Sequence, residues 1–254
     1  MNIFLYDRTF EGFLTVVFES YERKIVPDKI LDKGHQQTYL FSENHEVISD
    51  NNKAQRVWKG LHKKISDEAC KMLSVVYLSD LPDVEMLLYR YIQKAMESPI
   101  SIENNFGDPT VVEVLQLFKK VTKETERVRQ FVRFQKTVDN IYFASFEPQY
   151  NVLALTIKHF EARFADQSWI IYDTRRKFGY YYDLTSVSEI KFGDSQIDPV
   201  TGKIDASVLA GDEQLFQSLW KNYFEHIAIK ERKNLKLHKK LLPKRFWKYL
   251  PEKQ

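Results

Sequence analysis

The sequence predicts an α+β fold: a helical front half packed with a small, mostly antiparallel sheet flanked by helices. Three observations carry that prediction. Residues 141–146 and 169–173 are short runs of branched and aromatic side chains, as buried strands are, and residues 178–183 form a third. From residue 53 to 137 apolar side chains recur every three or four positions, the spacing of amphipathic helices. Of the 254 residues 43% are hydrophobic and 14% aromatic, ample for a core and far from a disordered composition.

In chain order, residues 2–6 form a short apolar strand that could join the sheet. Asp7 or Thr9 caps a helix with Phe10, Phe13, Leu14, Val17, Phe18 and Tyr21 on one face. Gly12, inside it, marks either close packing or a backbone approach. Pro27 ends this unit. Residues 37–41 and 46–48 are candidate strands, and Asp50-Asn51-Asn52 is a turn cluster. Residues 53–65 predict a helix with Val57, Trp58, Leu61 and Ile65 inward. Ser66 caps the next, with Asp67 and Glu68 suited to its positive end and Cys70 on its inner face as a small core residue. Pro82-Asp83 restarts a helix that buries Val84, Leu87, Leu88, Tyr91, Ile92 and Ala95. Asp108-Pro109 opens a long one, to about Thr137. Its second half carries Lys123, Arg127, Arg129, Arg133 and Lys136 beside Glu124 and Glu126, which reads as a solvated face.

Between the first two strand runs, residues 151–164 place Leu153, Ile157, Phe160 and Phe164 at helical spacing. Thr174-Arg175-Arg176-Lys177 is the turn before the third strand, residues 188–192 are a fourth, and residues 193–202 are a loop. After Asp212, Leu215, Phe216, Leu219, Trp220, Tyr223, Phe224 and Ile227 line one side of a last helix. No linker interrupts the pattern. The chain reads as a single compact unit, 1–254, with a helical part at 53–137, an α+β part at 138–227 and a basic segment at 228–254.

Net charge is only +3, but it is unevenly placed. Residues 227–254 hold ten Lys/Arg and two acids, a net +8; the remaining 28 Lys/Arg and 33 acids give −5. A basic tail on a slightly acidic body suits a surface that meets an anion such as nucleic acid. The chain has no apolar run long enough to span a membrane and no signal-peptide pattern before Asp7. A single cysteine excludes an internal disulfide and a cysteine-rich metal site, so a reduced, cytoplasmic setting is expected.

The phosphate-loop, Gly-x-Gly-x-x-Gly and Gly-x-Ser-x-Gly patterns are all missing. The six histidines are isolated, which leaves no zinc or iron–sulfur spacing. His159 and Arg163, four apart, share a helix face; Asp166, Gln167 and Trp169 follow, and Asp173 ends the next strand. His159, Arg163 and Asp173 are the catalytic candidates, able to hold a phosphate or move a proton. The structural alternative is a buried ion pair of Arg163 with Asp166 or Asp173. In the tail, Lys230, Arg232, Lys233, Lys236, Lys239, Lys240, Lys244, Arg245 and Lys248 alternate with His238, Phe246, Trp247 and Tyr249. Cations contact phosphates and aromatics stack on unpaired bases. Leu235, Leu237, Leu241, Leu242 and Trp247 could equally pack the tail onto the body.

The segments FLYDRTFEGFLTVVFESY, RQFVRF, NVLALTIKHFEARFADQSWIIYDTRRKFGYYYD, LWKNYFEHIAIKERKN and LPKRFWKYLPE resemble the bacterial family of SAM-linked probable DNA metabolism proteins, the domain of unknown function 4130. They span nearly the whole chain, as a full-length, stand-alone member would. The resemblance implies a radical-SAM partner with a helix-hairpin-helix motif. It also implies kinship with chains fused to a uracil-DNA glycosylase-like domain. The SAM and the iron–sulfur cluster belong to that partner, because this chain lacks the three-cysteine motif; no cofactor or metal is expected here. The family pattern falls on Phe134, His159, Phe160, Arg163, Phe164, Trp169, Asp173, Arg232, Lys233, Asn234, Pro243, Lys244 and Trp247, with no catalytic role attached. The expected nucleic-acid contacts are therefore Arg232, Lys233, Asn234, Lys236, Lys240, Lys244, Arg245 and Trp247. The expected function is a DNA repair or metabolism accessory protein. The alternatives are a glycosylase-like enzyme that stacks a flipped base on Trp169 or Tyr181, and a protein-interaction module.

Overall fold

The first strand, β1 (Asn2–Tyr6), lies between β2 (Lys29–Asp32) and β3 (Glu43–Glu46) and runs parallel to both. Parallel neighbours need a crossover, and α1 (Phe10–Arg23) supplies the one from β1 to β2. The N-terminal strand thus builds a sheet of its own rather than joining the later one. β2 was not expected, and β3 sits three residues before its expected position. Its sequence, Glu-Asn-His-Glu, lacks strand character, and its buried side chain is His45, whose ring lies 4.9 Å from that of Phe4. Thr9 caps α1 by accepting from the Gly12 N–H. Asp7 accepts from Thr9 and from the Ser49 hydroxyl. A Cβ on Gly12 would fall on the Asp7 carboxylate and 2.6 Å from Ser49 Oγ, so any side chain here would displace the Asp7–Thr9–Ser49 hydrogen bonds.

The structure, a computed structural model, describes residues 1–34, 40–192, 208–227 and 234–253. The expected loop at 193–202 and most of the candidate strand at 37–41 lie outside these; Leu40 and Phe41 sit in a turn. The chain divides into two compact units, Met1–Thr122 and Lys123–Gln254. In the first, α2 (Asn51–His62), α3 (Asp67–Tyr77) and α4 (Val84–Glu97) follow the sheet, the first two capped by Asp50 and Ser66. Cys70 is fully buried on α3, and burial pushes its thiol up to about 11, which suits packing rather than reactivity. The long helix α5 (Pro109–Phe131) starts on the Asp108 cap. It ends six residues before its expected limit, because Gln135–Lys136 pairs with a strand instead.

The second unit carries the mostly antiparallel sheet, in the order β4 (Gln135–Lys136), β5 (Tyr142–Phe146), β6 (Trp169–Asp173), β7 (Phe178–Tyr182) and β8 (Val187–Ile190). Only β5 and β6 are parallel, joined by a 3₁₀ turn (Leu153–Thr156) and α6 (Ile157–Arg163). Phe143, Phe146, Phe160, Trp169 and Ile171 form the core. α7 (Glu213–Ile227) turns Leu215, Phe216, Leu219 and Tyr223 to solvent, although its sequence reads as a packing face. α8 (Leu235–Leu241) precedes two 3₁₀ turns, Lys244–Tyr249 and Pro251–Lys253. The protein is α+β, and no helix among the described residues is long and apolar enough to cross a membrane.

Candidate functional site

The C-terminal segment is ordered by its apolar residues, which recur every fourth position. Leu242, Phe246 and Leu250 are buried, and the Phe246 ring stacks on Phe146 at 4.8 Å. Three ion pairs fasten it to the same unit. Arg245 reaches Glu124 at 2.5 Å, Lys248 reaches Glu147 at 2.7 Å, and Glu252 receives Arg133 at 2.8 Å. Glu124 is 1% exposed and also accepts from Arg127 and the Gln149 N–H, so the second half of α5 is not the bare solvated face its charges suggest. The hydrogen bond from Lys248 holds the Glu147 carboxyl below the usual range. Trp247 donates from Nε1 to the Leu242 carbonyl at 3.2 Å. Lys253 lies 4.4 Å over the Phe224 ring of α7.

The expected nucleic-acid contacts therefore divide. Lys236, Lys240 and Lys244, with Lys239, are exposed and make no ion pair with another described residue. Arg245 and Trp247 hold the segment in place. Asn234 caps α8 by accepting from the Leu237 N–H at 2.9 Å. Arg232 and Lys233 lie outside the described residues.

The catalytic candidates are not joined to one another. His159 sits edge-on to Phe160, and the exposed Arg163 lies 5.8 Å over Phe164. Asp173 is fully buried at the far end of β6 and pairs with Arg176, not Arg163. It accepts from the Arg175 and Arg176 N–H groups and from the Arg176 guanidinium, closing the 174–177 turn. Burial pushes its carboxyl up, and the bonds from Arg176 offset that only in part. Tyr181 pairs with Ile170 and Trp169 with Tyr182, so Tyr181 and Trp169 point to opposite faces of the sheet.

What does converge is a pocket of about 250 Å³ lined by Phe134, Tyr142, Phe164 and Trp169 with Val132, Arg133 and Gln167. It forms where the chain leaves α5 and where α6 turns into β6. Phe134 stands edge-on to both Phe160 and Phe164, at 5.8 and 5.2 Å. Trp169 packs between Phe160 and Tyr182. Trp169 Nε1 and Arg133 Nε are buried with no hydrogen-bond partner among the described residues. Arg133 also lines a small second cleft with Lys248 and Tyr249 of the C-terminal segment. Of these residues Tyr142 and Val132 gave no functional signal in the sequence, where they fall in the first strand run and in the long helix.

A comparison with curated proteins finds no match. A family model described as a domain of unknown function, DUF4130, matches residues 82–252. The match covers most of the chain, so the protein belongs to the DUF4130 family.

Proposed function

We propose that this chain is a nucleic-acid-binding accessory protein of DNA metabolism. It holds DNA through exposed lysines of its C-terminal segment while a radical-SAM partner supplies the chemistry. The observation that carries the DNA half is the division of cations within residues 234–253. There are seven Lys/Arg against one Glu. Arg245 and Lys248 are taken up by carboxylates of the body, while Lys244 projects from the anchored part and Lys236, Lys239 and Lys240 from α8, which leads directly into it. An anchored segment can present charge without the ordering cost that a disordered tail incurs on binding. The partner rests on the family resemblance alone. Against the glycosylase-like alternative, the Asp173 carboxylate closes a turn and is not joined to His159 or Arg163.

The test is the salt dependence of affinity for a single-stranded oligonucleotide. Each phosphate contact on a single strand contributes about 0.7 to the slope of log K against log salt. Replacing Lys236, Lys240 and Lys244 together by Gln should therefore flatten the slope by about two. An unchanged slope with unchanged affinity overturns the reading.

A further inference from the structure

We infer that the 250 Å³ pocket between α5, α6 and β6 is a binding site for one unpaired nucleobase, a flat ring whose edge carries hydrogen-bonding groups. For delivery of the base by a strand, this rests on the nucleic-acid reading above; for the ring itself it rests on the pocket's walls. Four of the seven lining residues are aromatic, and every base has a face that can stack on such a wall. The edge-on contacts of Phe134 with Phe160 and Phe164 fix the wall's geometry before any ligand arrives. A pocket of this size has room for a single base.

The polar groups set the class of ring. Gln167 contributes an amide that both donates and accepts. Trp169 Nε1 and Arg133 Nε, both from lining residues, have no acceptors among the described residues but lie sealed from the pocket's open space, so the polar contact with a ring edge falls to Gln167. An amide that both donates and accepts suits the mixed donor and acceptor edge of a nucleobase. Arg133 also faces the cleft that holds Lys248 and Tyr249. The segment that would track the phosphates thus abuts the pocket that would take the base.

The experiment compares the full-length protein's affinity for a labelled single strand with that for the same strand made abasic, and for free nucleosides. Wild type, Phe164→Ala and Gln167→Ala are measured side by side, with circular dichroism checking that each is folded. The inference expects the base-bearing strand to bind at least about fivefold more tightly than the abasic one, with the gap closing in the variants. Gln167 is polar and makes none of the ring contacts that Phe164 makes, so its variant and the wild-type comparison decide the matter even if Phe164→Ala does not fold. Equal, salt-dependent binding of both strands overturns the pocket and leaves the DNA reading standing. Binding of nucleosides but of neither strand upholds the pocket as a free-nucleoside site and sinks the DNA reading. No binding of any probe overturns both.

Discussion

Arg245 places its guanidinium 2.5 Å from Glu124 and 4.4 Å over the Phe246 ring, whereas Lys244 beside it projects into solvent. In the sequence the two are adjacent cations of equal promise. What separates them is a carboxylate 121 positions earlier, which periodicity cannot connect to them. Arg245→Ala should lower stability by about 1–3 kcal/mol, because it removes a charge-assisted bond to a buried carboxylate. Lys244→Ala should stay within about 0.5 kcal/mol. Chemical denaturation of the two variants checks both. The acid response belongs to this scale too. Lys248 lowers the Glu147 carboxyl, so its contribution is complete above the unfolded value, about 4.3, and is lost as pH falls through the folded value. The two side chains are 39% and 42% exposed, and solvent screening limits the effect to about 1 kcal/mol or less. Asp173 has the opposite sign: burial raises its carboxyl, so its ionisation costs stability as pH rises from about 3.9 towards the folded value. Glu147→Gln should therefore flatten the fall in melting temperature between about pH 5 and 3.

Among the elements, β6 and β7 show what a sequence pattern reveals. Residues 169–173 are a strand with the expected bounds, and the 174–177 turn leads into β7 as expected. Branched and aromatic runs bounded by polar turns carry that information locally. Gly179, within β7, is a matter of packing instead. A Cβ there would fall on the Ile171 carbonyl and 2.8 Å from the Tyr172 ring. Gly179→Ala should cost about 1–3 kcal/mol, read from a thermal or urea melt. β2 was not legible and β3 only out of place, because Lys-Ile-Leu-Asp and Glu-Asn-His-Glu owe their strand state to pairing with β1 rather than to propensity. The pocket was half legible. Phe134, Phe164 and Trp169 stood out as residues of the family pattern, while Tyr142 and Val132 join them only through the β5–β6 register and the early end of α5.

At the scale of the whole molecule, the α+β class and the basic C-terminus follow from composition and charge order. The use of that charge does not. Apolar anchors at Leu242, Phe246 and Leu250 convert what reads as a tail into an attached segment, and only some of its cations still face outward. Family membership, shown over residues 82–252, places both the segment and the aromatic pocket inside the part of the chain the family shares. The most direct test of the central claim is a titration of full-length protein with a single-stranded oligonucleotide at several salt concentrations. Affinity that falls steeply with salt, with a slope about two units shallower when Lys236, Lys240 and Lys244 become Gln, is the predicted result. Affinity that ignores both salt and the three substitutions would contradict it.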